Sequence, residues 1–270
     1  MLILLGCIVL VLGALFAIQR SLIYFPTRIA REQFDATIKG SLDGRVSVID
    51  PFDAVVIEPL STVAVAGTAI LFHGNAGLGL ERAYLAPHFT RRGLRLILAE
   101  YPGYGARPGS PSEAALVADA TALYARVSAS FAGAPILIVG ESLGTGVAVQ
   151  VATNQKDRRP SRLVLLTPFL SLAETAARMY PFLPARYLLR DRFDSATALL
   201  GYGGPVAILV AGSDEVVGAE QGRALAQLSR SRGETVVVDL PGAGHNSWSV
   251  LINDEQWTQL LGLPPLAAVP

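Results

Sequence analysis

Hydrophobic and polar positions fall into three regimes along the chain. The first is unbroken: from Met1 to Ile18 no side chain is charged, and nearly all are Leu, Ile, Val, Ala, Gly or Phe. About 18 apolar residues suffice for a helix to cross a bilayer, and at ~1.5 Å per residue this run is roughly 27 Å long. Gln19 and Arg20 end it, and Tyr24 and Phe25 follow where aromatic rings favour the membrane interface. The pattern predicts a transmembrane anchor over residues 1–25. A cleaved signal peptide fits less well, because no basic residue precedes the run and no good small-x-small site follows it. A core helix fits less well because the run has no polar face. Arg20, Arg28 and Arg31 all follow the run, so the positive-inside rule puts the rest of the chain on the cytoplasmic side.

The second regime alternates short apolar runs with longer amphipathic ones. Val55–Ile57, Ala69–Phe72, Leu94–Ala99, Ile136–Val139, Leu163–Leu166, Ala207–Val210 and Val236–Leu240 read as strands. Each is continuous in apolar character and rich in Val, Ile and Leu, which suits strands buried on both faces of a parallel sheet. Between them, Leu80–Arg92, Glu113–Ser130, Leu143–Thr153 and Glu220–Arg230 read as helices, with a last one over Ser247–Leu261 and a proline-containing surface tail after it. Such alternation predicts an α/β fold with a doubly wound sheet, forming one domain over residues 26–270. The third regime breaks the alternation. Residues 167–202 are rich in Phe, Leu, Tyr, Pro and Arg and too long for a simple loop. They read either as a small helical cap over the carboxyl edge of the sheet or as a crossover helix with an irregular entry, and the pattern leaves both open.

Composition narrows the classes of function. The chain has 270 residues, enough for one sizeable core, and is 51% apolar and 16% charged, which excludes a disordered protein. Lysines and arginines balance aspartates and glutamates, 22 against 22, leaving no electrostatic footprint for nucleic acid. Cys7 is the single cysteine, so an internal disulfide and a cysteine-based metal site are excluded, and no motif asks for a metal or cofactor.

The chemistry lies at the ends of the predicted strands. Gly140-Glu141-Ser142-Leu143-Gly144 fits Gly-x-Ser-x-Gly, follows the run Ile136–Val139 and opens a helical run. That strand–turn–helix setting is what a nucleophile elbow needs, since the serine must project from a strained turn at the sheet edge. A serine hydroxyl also needs a base. Of three histidines, His88 lies inside a helical run, His73 directly follows a strand, and His245 follows the last strand in a glycine-rich loop, where a base can meet the elbow. Asp214, after the strand Ala207–Val210, stands between serine and histidine in the order Ser…Asp…His and is assigned the part of orienting the imidazole, with Glu215, Asp191 and Asp194 as rivals. An oxyanion needs donors: the backbone N–H of Leu143 and that of Asn75, with Ala76 as fallback, are assigned to it, and His73 to bracing their loop.

These motifs together resemble one family. His73-Gly74-Asn75-Ala76-Gly77, Tyr101-Pro102-Gly103-Tyr104-Gly105, Gly140–Gly146, Ser213–Val217 and Gly244-His245, with the anchor followed by Gln19–Pro26, are similar to the Bem46-like α/β-hydrolases, a group often described as serine aminopeptidase or acylaminoacyl-peptidase-like. The resemblance implies the α/β-hydrolase fold with an eight-stranded sheet, a membrane anchor, and hydrolysis of esters or amides. Glu100 and Pro102 stand where that family more often shows Asp and Arg, a difference expected at the mouth of the pocket. Phe169, Leu170, Met179, Tyr180 and Phe182 are expected to line an apolar acyl pocket. A membrane-anchored esterase on acyl or lipid-like substrates is therefore expected first. A peptidase using Arg186, Arg190 and Asp191 for a peptide terminus comes second, and a non-catalytic interaction module is remote. A chain starting near Thr27 is expected to be soluble and to keep ester turnover.

Overall fold

The computed structural model describes residues 1–40 and 45–263. The apolar run forms α1 (Leu2–Ile23), a single 22-residue helix that is almost wholly exposed and long enough to cross a membrane. It is followed by the two-residue strand β1 (Phe25–Pro26) and by α2 (Arg31–Gly40). Next come β2 (Val46–Ile49), β3 (Ala54–Ile57), β4 (Gly67–Phe72) and the two-residue β5 (Ala76–Gly77). Where one helix was expected over Leu80–Arg92, a 3-10 stretch Gly79–Leu85 precedes α3 (Ala86–Thr90). Pro87 stands in the first turn of α3, where its missing N–H starts a helix well but cannot continue one.

From β6 (Leu94–Leu98) onward the strand–helix alternation holds. It runs through α4 (Glu113–Ser130), β7 (Ile136–Glu141), α5 (Leu143–Asn154) and β8 (Arg162–Leu166). Residues 167–202 then hold three short helices, α6 (Leu172–Met179), α7 (Ala185–Leu188) and α8 (Ser195–Leu199), in place of a single crossover helix. Of these, α8 packs on α5 beside the sheet. The chain continues with β9 (Val206–Ala211), α9 (Ala219–Arg230) and β10 (Thr235–Leu240). The last predicted helix divides into α10 (Trp248–Leu251) and α11 (Asp254–Leu261). Asn253 accepts from the Gln256 N–H while the Gln256 side chain accepts from the Asn253 N–H, a reciprocal cap that starts a new helix there. The expected tail from residue 264 lies outside the described residues.

Eight strands form one sheet in the order β10-β9-β8-β7-β4-β6-β3-β2, parallel except that β3 runs antiparallel to both β6 and β2. Alternate residues of β4 serve opposite faces. Ile70 and Phe72 pack with Leu116 of α4 and Val147 of α5, whereas Ala69 and Leu71 pack with Phe89 of α3 and Trp257 of α11. The α/β-hydrolase fold expected from the motifs is thus present. Its parallel strands bring the ends of β4, β7, β9 and β10 to one edge, and every residue assigned to the chemistry follows one of those ends.

One close approach governs that edge. Gly144 opens α5 against the end of β4, and a Cβ there would collide with the carbonyl oxygens of Phe72 and His73. Gly144→Ala is expected to cost about 2 kcal/mol or more, as overpacked sites do, lowering the melting temperature in detergent by roughly 4 °C or more. Gly242→Ala, with nothing near the added carbon, is expected to leave it unchanged.

Candidate active site

Ser142 sits between β7 and α5 with φ 51° and ψ −117°, a backbone conformation that costs an L-residue free energy and that its surroundings must impose. Its N–H donates to the Leu166 carbonyl at 2.9 Å, and its own carbonyl accepts from the Thr145 N–H at 2.9 Å and the Thr145 hydroxyl at 2.6 Å. The turn is therefore held from β8 on one side and α5 on the other. Its hydroxyl Oγ lies 2.8 Å from Nε2 of His245.

His245 is buried in the loop after β10, and its Nδ1 lies 2.8 Å from Oδ2 of Asp214 in the loop after β9. The other carboxylate oxygen, Oδ1, accepts from the N–H groups of Val216 at 3.0 Å and Val217 at 2.8 Å, so Asp214 is fixed by its own turn before it meets the imidazole. Burial pushes the Asp214 carboxyl up. The bond to His245, that ring's charge, and the N–H groups of Val217 and Gly218 pull it down, and the pull prevails, leaving it below its ordinary 3.8.

The rivals lie elsewhere. Glu215 accepts from the backbone N–H of His245 at 3.2 Å and so steadies the loop, not the ring. Asp194 caps α8 through the Thr197 N–H, and Asp191 is bonded to Arg20 and Tyr24. A serine, an imidazole and a carboxylate in this relation can pass a proton from the hydroxyl to the ring as the oxygen attacks a carbonyl carbon.

Gly74, Asn75 and Ala76, after β4, line the same cavity as Ser142, Leu143 and His245. Leu143 is the first residue of α5, where a backbone N–H has no partner within the helix. His73 is fully buried beneath the loop, with Nδ1 2.8 Å from the Gly74 carbonyl and Nε2 3.1 Å from Glu100. Glu100 is not at the pocket mouth, as its departure from the family pattern suggested. Only 3% exposed, it also accepts from the N–H groups of Gly79 and Tyr101, and so fastens the loop from below. Tyr101 and Tyr104 complete the support, donating their hydroxyls to the carbonyls of His73 and Asn75 at 2.9 and 2.8 Å.

The cavity over Ser142 measures about 730 Å³. Phe169, Met179 and Tyr180 line it, with Leu172, Leu183 and Leu188. Two expected lining residues do not. Leu170 packs against the core and gives its N–H to Gln221, while Phe182, in the turn between α6 and α7, is 97% exposed. One part of the lining was not expected at all: it is Leu15, Phe16, Gln19, Leu22 and Ile23 of α1. Beside Ser142 the charged lining residues Arg82 and Glu141 bond to each other at 2.8 Å.

Comparisons with known proteins agree with this architecture. Residues 64–193 match the family described as serine aminopeptidase, S33. Uncharacterized protein Rv2307c of Mycobacterium tuberculosis is 37% identical over 247 residues, covering 86% of this chain and 82% of that protein. The lysophosphatidylserine lipase ABHD12 of Danio rerio is 33% identical over 177 residues, which is 59% of this chain and 46% of that longer protein. Among solved structures, the Pyrococcus furiosus esterase Pf2001 superposes with a TM-score of 0.64 at 14% identity, over 89% of this chain and 96% of that one, and so shares the fold.

The lowered Asp214 carboxyl has a consequence for stability. A group held low in the folded state adds stability that is fully present above its ordinary value and is lost as pH falls through the lower folded one. At pH 7 the Asp214→Asn variant is therefore expected to melt below the wild type, with a gap that narrows as pH drops below about 4. Melting curves of both proteins between neutral and acid pH check this, and a gap that stays constant would contradict it.

Proposed function

The chain belongs to the α/β-hydrolase family and is a hydrolase, and from that premise we propose that it is a membrane-anchored serine hydrolase cleaving ester, including thioester, bonds of apolar acyl substrates. Ser142 is the nucleophile in this reading. His245 takes the Ser142 proton as Oγ adds to the carbonyl carbon, and Asp214 holds the ring in the required tautomer and stabilises its charge. The oxyanion of the tetrahedral intermediate is met by the backbone N–H of Leu143 and that of Asn75, with Ala76 as the alternative donor. Collapse breaks the bond to the alcohol, which leaves with the proton from His245. Water, deprotonated by the same ring, then attacks the acyl-enzyme, and the acid departs as Ser142 recovers its proton.

The observation that carries the apolar-acyl reading is the cavity. Its walls are Leu, Ile, Val, Phe, Met and Tyr side chains for most of their extent, and its charged pair, Arg82 with Glu141, is already internally matched. A peptidase would need an unmatched charge for a peptide terminus. Arg186 is bonded to Glu174, Arg190 lies over the Phe16 ring and Asp191 is bonded to Arg20, and none of the three lines the cavity. The ester reading is preferred for that reason. Anchoring by α1 is supported by its length, its exposed apolar surface and the bonds that fasten its carboxyl end to the folded domain. We place the domain on the cytoplasmic side from the arginines that follow the span.

In this reading the full-length chain stays uncleaved in the membrane fraction after an alkaline carbonate wash. In detergent it turns over medium-chain p-nitrophenyl esters much faster than aminoacyl anilides. Ser142→Ala and His245→Ala each abolish turnover, and Asp214→Asn lowers it by roughly 10⁴-fold, as loss of a tautomer-setting acid does. Anilides cleaved as fast as esters would transfer the proposal to amide hydrolysis. A shortened soluble form in the native host would mean a signal peptide.

A further inference from the structure

We infer that the carboxyl-terminal turns of the membrane helix are a working wall of the acyl site and set which acyl chains reach Ser142. The inference rests on the esterase reading above but concerns a different part of the molecule. Leu15, Phe16, Gln19, Leu22 and Ile23 line the cavity together with Ser142 and His245. Their spacing is that of one face of an α-helix, and Leu12, one turn earlier on the same face, is half-buried. On the rest of α1 the side chains of Ile3, Leu4, Leu5, Val9 and Leu10 are exposed. One helix therefore presents an exposed apolar stretch at its start and a cavity-lining face at its end.

The lining end is fixed in place on two sides. Toward the α6–α7 segment, Gln19 is buried, accepts from the Arg190 N–H at 2.7 Å and donates to the Leu188 carbonyl at 3.4 Å. Arg20 makes two bonds to Asp191, at 2.9 and 3.1 Å, and the buried Tyr24 hydroxyl donates to the same carboxylate at 3.0 Å. Asp191 is 3% exposed, and a buried carboxylate left without its cation is costly, so this contact resists separation. Toward the oxyanion loop, the Asn75 side chain donates to the Ile23 carbonyl at 2.9 Å, the Phe25 N–H donates to the Asn75 carbonyl at 2.9 Å, and β1 pairs with β5 in parallel. A tether requires only length and apolarity. This helix end instead holds the two segments between which the substrate must lie. A chain beginning at Thr27 would lack Arg20 and Tyr24, which bond Asp191, and the Ile23 and Phe25 partners of Asn75, leaving the Asn75 carbonyl only its bond from Tyr104, so the turnover expected of it from sequence does not follow from the structure.

The test uses the full-length chain in detergent and reads the ratio of kcat/KM for p-nitrophenyl decanoate to that for the butyrate. A ratio is insensitive to the fraction of folded enzyme. Leu15→Trp, which adds bulk to the wall, is expected to lower the ratio about tenfold or more, the scale on which a filled apolar pocket discriminates chain length. Phe16→Ala, which removes bulk, is expected to raise it and to extend turnover to longer chains. Val9→Trp, on the exposed part of the same helix, is expected to leave it at the wild-type value. An unchanged ratio in both wall variants, or an equal change in Val9→Trp, overturns the inference while leaving the esterase reading intact. Should Leu15→Trp fail to fold, Phe16→Ala decides alone. A wild-type protein that hydrolyses neither ester overturns the reading and the inference together.

Discussion

The structure depends on one constrained turn. Ser142 must hold a left-handed backbone between β7 and α5, and nothing in the intrinsic preference of a serine favours that. The strain is sustained because the turn is over-determined. Its N–H is bonded to β8 and its carbonyl to Thr145, while Gly144 lets the start of α5 lie against the end of β4 without a side chain between them. The same close approach brings the loop after β4 beside the helix N-terminus, so the conformation that projects the hydroxyl also assembles the donors proposed for the oxyanion. Parallel strands do the rest, since β9 and β10 end at the same edge and deliver Asp214 and His245.

Around that turn the supports are polar and buried. Glu100, His73, Tyr101 and Tyr104 form a connected set beneath residues 73–79, and each member has a partner at hydrogen-bond distance. Satisfied networks of this kind fix one geometry, whereas a single unpaired member would be costly. From outside, the end of α1 and strand β1 close on the same loop through Asn75. The loop is therefore held from below by side chains of the sheet edge and from the side by the segment that follows α1.

Much of this was legible in the sequence, for physical reasons that also explain what was not. The central strands could be read because burial on both faces makes them continuous apolar runs. Edge strand β2 escaped because its residues are partly exposed and Ser47 interrupts the pattern. Two predicted helices divided because Pro87 and the Asn253 cap act locally, below the resolution of a periodicity. Ser142, Asp214 and His245 could be picked out because each follows a strand end in a fixed order, and the structure brings their side chains within hydrogen-bond distance of one another. The wall from α1 could not. In a run apolar on every side no spacing marks the face that meets the cavity, and Gln19 and Arg20, which read as the end of a span, have partners, Arg190 and Asp191, each 171 positions away along the chain, that only the fold brings near. Glu100 was misjudged for the same reason, its contacts being set by tertiary structure.

The central claim is that the strained turn presents a nucleophile activated by His245. Mass-spectrometric mapping of the adduct left by a fluorophosphonate on the full-length protein tests it most directly. A single adduct on the Ser142 Oγ, absent in Ser142→Ala and formed far more slowly in His245→Ala, is the result the account predicts. An adduct on another serine, or none on a folded protein, would contradict it.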